Sequence, residues 1–390
     1  MPFDAILRDD EACCKKVGEI TGMKTYTCEC GQLIFFENVA CVACGRELGF
    51  LPDALRLSSL EPAADGLFHP SNPGAGKPAY SKCQNYSKES VCNWMIPVKS
   101  SQSQTAETFC VSCRLNQTIP DLTVPENHAL WACTETAKRR LVYSLLNLKL
   151  PVANKMEDPK QGLAFAFLAD VLNPDGAVTK VMTGHEDGLI TLNLAEADDA
   201  AREKNRKAMN EPYRTLLGHF RHEVGHYYWD RLVSGTSFLG GFREIFGDET
   251  PDYARALKRY YANAPPADWR ENYISAYATS HPWEDWAETW ANFMHIQDAL
   301  EVAHDFGLAG KVIRVDPQAA QGKAWLSSKQ TNIEEIIGAW SELAIALNSI
   351  NRSMGLHDTY PFVLSPAVVN KLRFVFEVIA SGAAKTAAAS

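Results

Sequence analysis

The stretch GHFRHEVGHYYWD, Gly218 to Asp230, contains H-E-x-x-H at His222, Glu223 and His226. Two histidines four residues apart on a helix project from one face about one turn apart, a spacing that suits two ligands of a tetrahedral zinc. The glutamate between them is turned about 100° around the helix, within reach of a water on the metal, which is the placement of a general base. His219, one turn earlier on the same face, reads as a wall of the site or a structural residue rather than a ligand. Two histidines do not close a zinc site, so a third ligand has to come from elsewhere in the chain.

Three patterns for that third ligand can be laid against the sequence. The metzincin pattern needs Gly and His where the chain has Trp229 and Leu232. The aspzincin pattern needs an Asp in a G-T-x-D turn, and GTSFLGG, Gly235 to Gly241, has the G-T without the Asp. The gluzincin pattern takes a Glu from a second helix, and YATSHPWEDWAETWANFMHI, Tyr277 to Ile296, offers one. Pro282 suits the first turn of that helix, and Glu284 and Glu288 fall at i and i+4 on one face. The flanking Trp283, Trp286, Trp290 and Phe293 bury the helix, and a buried carboxylate needs a partner. His222, His226 and Glu284 are therefore assigned as metal ligands, with water as the fourth. Glu288 is assigned to hold a ligand imidazole in its tautomer. Asp285, His281 and Glu288 stay open as alternative third ligands. Peptide cleavage also needs a donor for the oxyanion, and Tyr277, seven residues before Glu284, is the candidate, with Tyr273 as its substitute.

The elements that must position these residues follow from the pattern. The H-E-x-x-H helix is expected from about Glu211 to Leu232, with Pro212 in its first turn and a buried apolar stripe that includes Leu216, Phe220 and Val224. GLAFAFLADVL and GLITLNL, between Leu163 and Leu194, read as strands of a sheet beside that helix, with an edge able to hold an extended substrate. A polar helix-forming stretch, EADDAAREKNRKAMN, comes next, and the last 60 residues read as helices ending in a low-complexity tail.

All 11 cysteines lie before residue 134, a clustering that reads as zinc ligation rather than a disulfide scaffold. Cys28, Cys30, Cys41 and Cys44 flank a β-rich run, the arrangement of a zinc ribbon, although the first pair is C-x-C rather than C-x-x-C. Cys83, Cys92, Cys110 and Cys113 read as a second four-cysteine site. Cys133 reads as a buried apolar residue. Residues 58–80, rich in Pro, Gly, Ala and Ser, read as a loop or linker. Cofactor demand is thus one catalytic zinc and one or two structural ones.

The 390 residues are 46% apolar and 22% charged, which fits a globular protein, and no run of about 18 apolar residues suggests a membrane span. The start of the chain has no apolar signal region, so the cytoplasm is the expected compartment. Met23 opens MKTYTCECG; residues 1–22 read either as an extension ahead of a start there or as a short N-terminal segment. Of the net charge of −9, residues 151–390 carry −8, which weighs against a broad nucleic-acid surface on that part.

HEVGH with Y-x6-EDWAE is similar to the lethal-factor-type gluzincins. That likeness implies Glu284 as the zinc-binding Glu of E-x-x-A-E and Tyr277 as the tyrosine that supports the transition state. From Met23 on, the chain resembles a bacterial family of zinc-binding metallopeptidases with an N-terminal zinc ribbon. CGQLIFFEN, CGRELGFLPD, CRLNQTIPDL, AKRRLVYSLLNLKLPV, RHEVGHYYWD and HPWEDWAETWANF carry the resemblance. The expected fold is α+β. It comprises a zinc ribbon (23–57), a second four-cysteine zinc-binding segment (75–125), a connecting helix (126–150), a zincin-like catalytic domain (151–382) and a disordered tail (383–390). The expected function is zinc-dependent peptide hydrolysis on a peptide or protein substrate, with Glu223 as base. Two rivals stand beside it. One is a ribbon-guided protease acting on nucleic-acid-bound proteins, for which AKRR would supply a basic turn; the other is a non-catalytic zinc-ribbon binding protein.

Overall fold

A computed structural model describes residues 25–71, 78–98, 107–173, 175, 178–198, 202, 215–308, 332–358 and 363–389. The chain divides into two compact units, Met1–Asn147 with Pro151–Leu217, and Leu148–Leu150 with Gly218–Ser390. The class is α+β as expected: the described strands all belong to the first unit, and the second is helical. Residues 1–22, with Cys13 and Cys14, lie outside the described residues, as does most of the polar stretch after Glu196.

The first unit opens with the antiparallel pair β1 (Tyr26–Thr27) and β2 (Leu33–Ile34). Five more strands follow in a meander: β3 (Leu48–Leu51), β4 (Arg56–Pro62), β5 (Phe68–Pro70), β6 (Tyr80–Lys82) and β7 (Met95–Pro97). Residues 58–80 are therefore not simply a linker, for they supply most of β4, all of β5 and the start of β6. Their composition disfavours strands, but the ladder with β3, which sets Leu48 against Ser59 and Phe50 against Leu57, supplies the pairing that composition cannot show. One sheet thus connects the two cysteine sets.

Phe36, Phe50, Trp94 and Tyr143 form the aromatic core of this unit, with Phe50 centred 4.6 Å from Trp94 and Phe36 5.5 Å from Tyr143. Tyr143 comes from α1 (Pro125–Asn147), the expected connecting helix. The AKRR turn on α1 is spent inside the unit. Lys138 and Arg139 are buried; Lys138 pairs with Glu135 at 2.8 Å, and Arg139 donates to the Val91 carbonyl. Arg140 donates to Glu37 at 2.6 Å.

The strands expected after Leu163 are present, and the first of them pairs with a strand of the cysteine-rich segment. The remaining elements are β8 (Asn116–Thr118), β9 (Ala164–Leu168), the short pair β10 (Val171–Leu172) and β11 (Val178–Thr179), then β12 (Gly184–Glu186) and β13 (Leu189–Asn193). The order β12-β13-β9-β8 puts β9 parallel to β13 on one side and to β8 on the other. Because β8 comes from the cysteine-rich segment, this ladder ties residues 164–193 to the first unit. The two compact units meet along the chain at Leu217 and Gly218.

The second unit begins with α2 (Leu216–Leu232), which carries H-E-x-x-H; residues 211–214, its expected start, lie outside the described residues. It continues with α3 (Phe238–Phe246), α4 (Tyr253–Ala262), α5 (Pro282–Asp305), α6 (Ile333–Ser353) and α7 (Pro366–Ala389). Trp286 and Trp290 of α5 sit at the centre, 5.6 Å apart, with Tyr228 stacked on Trp290 at 5.1 Å and Phe374 of α7 edge-on to Trp286 at 6.1 Å. The tail expected to be disordered from residue 383 continues α7 to Ala389, because alanine is the strongest helix former.

Arg221 of α2 pairs with Asp298 of α5 and donates to His295 Nδ1 at 3.4 Å. Burial, with the Arg221 charge adding to it, pushes His295 down to about 3 from its ordinary 6.5. The unfolded chain takes up this proton below pH 6.5 while the folded chain does not, so stability held above 6.5 is lost as pH falls towards 3. Between about pH 7 and about pH 5 the loss should be about 2 kcal/mol. Urea unfolding at about pH 7 and about pH 5 checks this: wild type should lose about that much more than His295→Gln, and equal losses would assign the titration to other groups.

Candidate metal centre

The site is built by α2 and α5 running antiparallel at close range. At Gly225 a Cβ would lie 3.1 Å from the Ala287 Cα and 3.2 Å from Trp290, so the second glycine of GHFRHEVGH is what lets the helices approach. Trp286 Nε1 donates to the Gly225 carbonyl at 2.8 Å and locks that approach. The antiparallel register then sets the two i, i+4 histidines of α2 opposite the two i, i+4 glutamates of α5.

His222 Nε2 lies 3.2 Å from His226 Nε2 and 2.9 Å from Glu284 Oε2, and His226 Nε2 lies 3.5 Å from Glu284 Oε1. Ligands about 2.0–2.1 Å from a tetrahedral zinc stand about 3.3 Å from one another, so these spacings fit one zinc ion. Glu288 Oε1 is 2.7 Å from His222 Nδ1, so that nitrogen carries the proton and donates it, leaving Nε2 to a metal. His226 is held by its ring contact with Trp283, at 4.2 Å. Burial opposes charge on His222, but hydrogen bonds to Glu284 and Glu288 outweigh it and raise its pKa well above the ordinary value. Burial likewise opposes ionisation of Glu284, but His226 and His222 hold its carboxyl well below the usual range.

Glu223 is buried, with its Oε1 3.3 Å from His219 Nε2. Burial works against its ionisation; the hydrogen bond from His219 and the neighbouring imidazoles outweigh that and lower its pKa. The ring of Tyr277 is centred 6.0 Å from that of His222, and Tyr260 of α4 stands edge-on to it at 5.6 Å. Its alternative, Tyr273, instead lies under the Lys371 ammonium, 4.1 Å from the ring centre.

The alternative third ligands are engaged elsewhere. Asp285 pairs with Lys371 of α7 at 2.5 Å. His281 caps α5, accepting from Trp283 N at 3.1 Å through Nδ1, with Nε2 on the Pro251 carbonyl at 3.2 Å. Glu288 touches Nδ1 of His222 and not the face where the ligand atoms meet. Reading the sequence missed Tyr253, whose hydroxyl donates to Glu284 Oε1. Asp252 caps its helix in the expected manner, but no local pattern ties Tyr253 to a carboxylate 31 residues on.

In the first unit Cys28, Cys30, Cys41 and Cys44 converge, with Sγ pairs at 3.7 and 3.6 Å. Cys83, Cys92, Cys110 and Cys113 converge likewise, Cys92 and Cys110 at 3.8 Å. Zinc–sulfur bonds of about 2.3 Å at tetrahedral angles put sulfurs about 3.8 Å apart, so both sets suit zinc. The short C-x-C knuckle is accommodated because Gly31, at φ +86°, turns the chain directly after Cys30 and donates to the Cys28 carbonyl at 2.9 Å. Cys133 is half-buried on α1, not fully buried. Among the described residues no helix is long and apolar enough to cross a membrane.

Comparison with known proteins gives two family matches. The family described as "Putative zinc-binding metallo-peptidase" matches residues 127–378, and a zinc-ribbon domain family matches residues 25–124. Uncharacterized protein Mb2598c of Mycobacterium bovis is 42% identical over 359 residues, covering 92% of this chain and 95% of its own. Uncharacterized protein Rv2568c of Mycobacterium tuberculosis matches to the same extent, 42% over 359 residues with the same coverage. No solved structure matches.

Proposed function

Because the chain belongs to this family of zinc-binding metallo-peptidases, we propose that it hydrolyses peptide bonds of a peptide or protein substrate at the His222, His226 and Glu284 centre. The observation that carries the reading is the convergence of these three donors beside a buried glutamate on the same helix as the two histidines. A bound zinc supplies Lewis acidity to water and to the scissile carbonyl. Glu223 acts as general base, taking the proton of the attacking water and delivering it to the leaving amine. His219 orients the Glu223 carboxylate. Tyr277 donates its hydroxyl to the carbonyl oxygen as charge builds there. The eight cysteines hold structural zinc that folds the first unit.

Zinc per chain, measured by elemental analysis, tests the metal assignment. Wild type should bind three equivalents, one for each of the three clusters, and His222→Ala/His226→Ala should bind two. Equal zinc in both would confine the metal to the cysteine clusters and favour a zinc-ribbon binding protein over a peptidase.

A further inference from the structure

We propose that Tyr253 is a positioning residue of the metal centre, its hydroxyl fixing the Glu284 carboxylate so that the oxygen facing His222 stays turned to the ligand cluster. The role rests on the reading of His222, His226 and Glu284 as a zinc site. Glu284 is almost wholly buried, at 1% exposure, so each of its oxygens needs a partner. Oε2 faces His222 Nε2 at 2.9 Å, and Oε1 accepts from Tyr253. Among the described residues Tyr253 is the one hydrogen-bond donor to Glu284, while the two histidines face it with ring nitrogens at 2.9 and 3.5 Å. A neutral phenol suits the task, because it holds the carboxylate by a hydrogen bond without cancelling the negative charge a cation needs.

Tyr253 is itself aimed by a brace that begins at the ligand helix. His281, the residue that caps α5 three positions before Glu284, also takes the carbonyl of Pro251, two positions before Tyr253. Its Nδ1 accepts and its Nε2 donates, so one neutral imidazole satisfies both bonds. The Tyr253 ring stands edge-on to His281 at 5.3 Å and to Trp283 at 5.7 Å. At the next residue back, Asp252 caps α4 through Arg255 N at 3.0 Å, which fixes where that helix begins. Two tyrosines from separate elements therefore flank the centre, Tyr277 with its ring 6.0 Å from that of His222 and Tyr253 with its hydroxyl on Glu284.

The test uses the full chain with its cysteine sites filled with zinc and cobalt(II) titrated into the third site, for wild type and Tyr253→Phe. Phe keeps the ring and its packing and removes only the hydroxyl. The variant should bind cobalt about 10–100-fold more weakly, with a shifted visible absorption band, while both cysteine sites stay loaded. A packing role would move the melting temperature and leave the cobalt spectrum alone. Wild-type affinity and spectrum in Tyr253→Phe would overturn the positioning role by itself. A wild-type chain that takes up no third metal would overturn the metal reading, and this role with it.

Discussion

Glu223→Gln should lower the rate of peptide hydrolysis by roughly 10²–10⁴-fold while leaving the zinc content at the wild-type value. The two effects separate because Glu223 lies outside the group of converging ligand atoms, yet sits on the same helix as two of them. Gln keeps the size of the side chain and can still meet His219, so the burial and packing of the position are preserved. What it loses is the capacity to take a proton from water. His222→Ala should lose both zinc and turnover, which marks the difference between a ligand and a base. Turnover can be followed by mass spectrometry of new termini in a peptide mixture. A Gln variant with wild-type turnover would place the base elsewhere and undo the proposed chemistry.

Lys371→Met should destabilise the second unit by about 3–5 kcal/mol, the cost of leaving a buried carboxylate without its counter-ion. Lys371 and Asp285 meet at 2.5 Å, with side chains 7% and 1% exposed. Burial has already pushed Asp285 up to about 7 against the pull of Lys371, so the carboxylate is poorly placed to stand alone. The ammonium also donates to the Asn272 carbonyl at 2.7 Å, tying α7 both to the ligand helix and to the segment leading to Tyr277. Urea unfolding followed by tryptophan fluorescence measures the loss. Lys371→Met/Asp285→Leu should recover more than half of it, because removing both charges also removes the desolvation penalty. A single variant as stable as wild type would mean that the pair contributes nothing net.

The candidate ligand residues, which the structure brings into three clusters, were legible in the sequence because each pair among them is local. H-E-x-x-H fixes its own geometry once a helix forms, since i and i+4 face the same way whatever surrounds them. The same holds for Glu284 and Glu288, for the His281–Pro282 helix start, and for the closely spaced cysteine pairs whose side chains a single turn brings together. Helical spacing marked α2 and α5, and runs of strand-forming residues marked β9 and β13. The tyrosine seven residues before Glu284 was one of two that the preceding segment offered, and the likeness to lethal-factor-type gluzincins is what chose between them.

What only the tertiary structure decided lies between segments far apart in the chain. Tyr253 reaches Glu284 across 31 residues and Lys371 reaches Asp285 across 86. A tyrosine at a helix start and a lysine on a C-terminal helix carry no pattern that names a distant partner. β4 and β5 arise in a stretch whose composition reads as a linker, because strand pairing is supplied by neighbours rather than by the residues themselves. The parallel ladder of β8 with β9 draws residues 164–193 into the first unit, where chain order alone had placed them with the H-E-x-x-H helix. Gly225 shows the boundary between the two kinds of information. The sequence supplies a glycine within the motif, but only the packing of α2 on α5 shows that its missing Cβ lets His222 and His226 come within reach of Glu284.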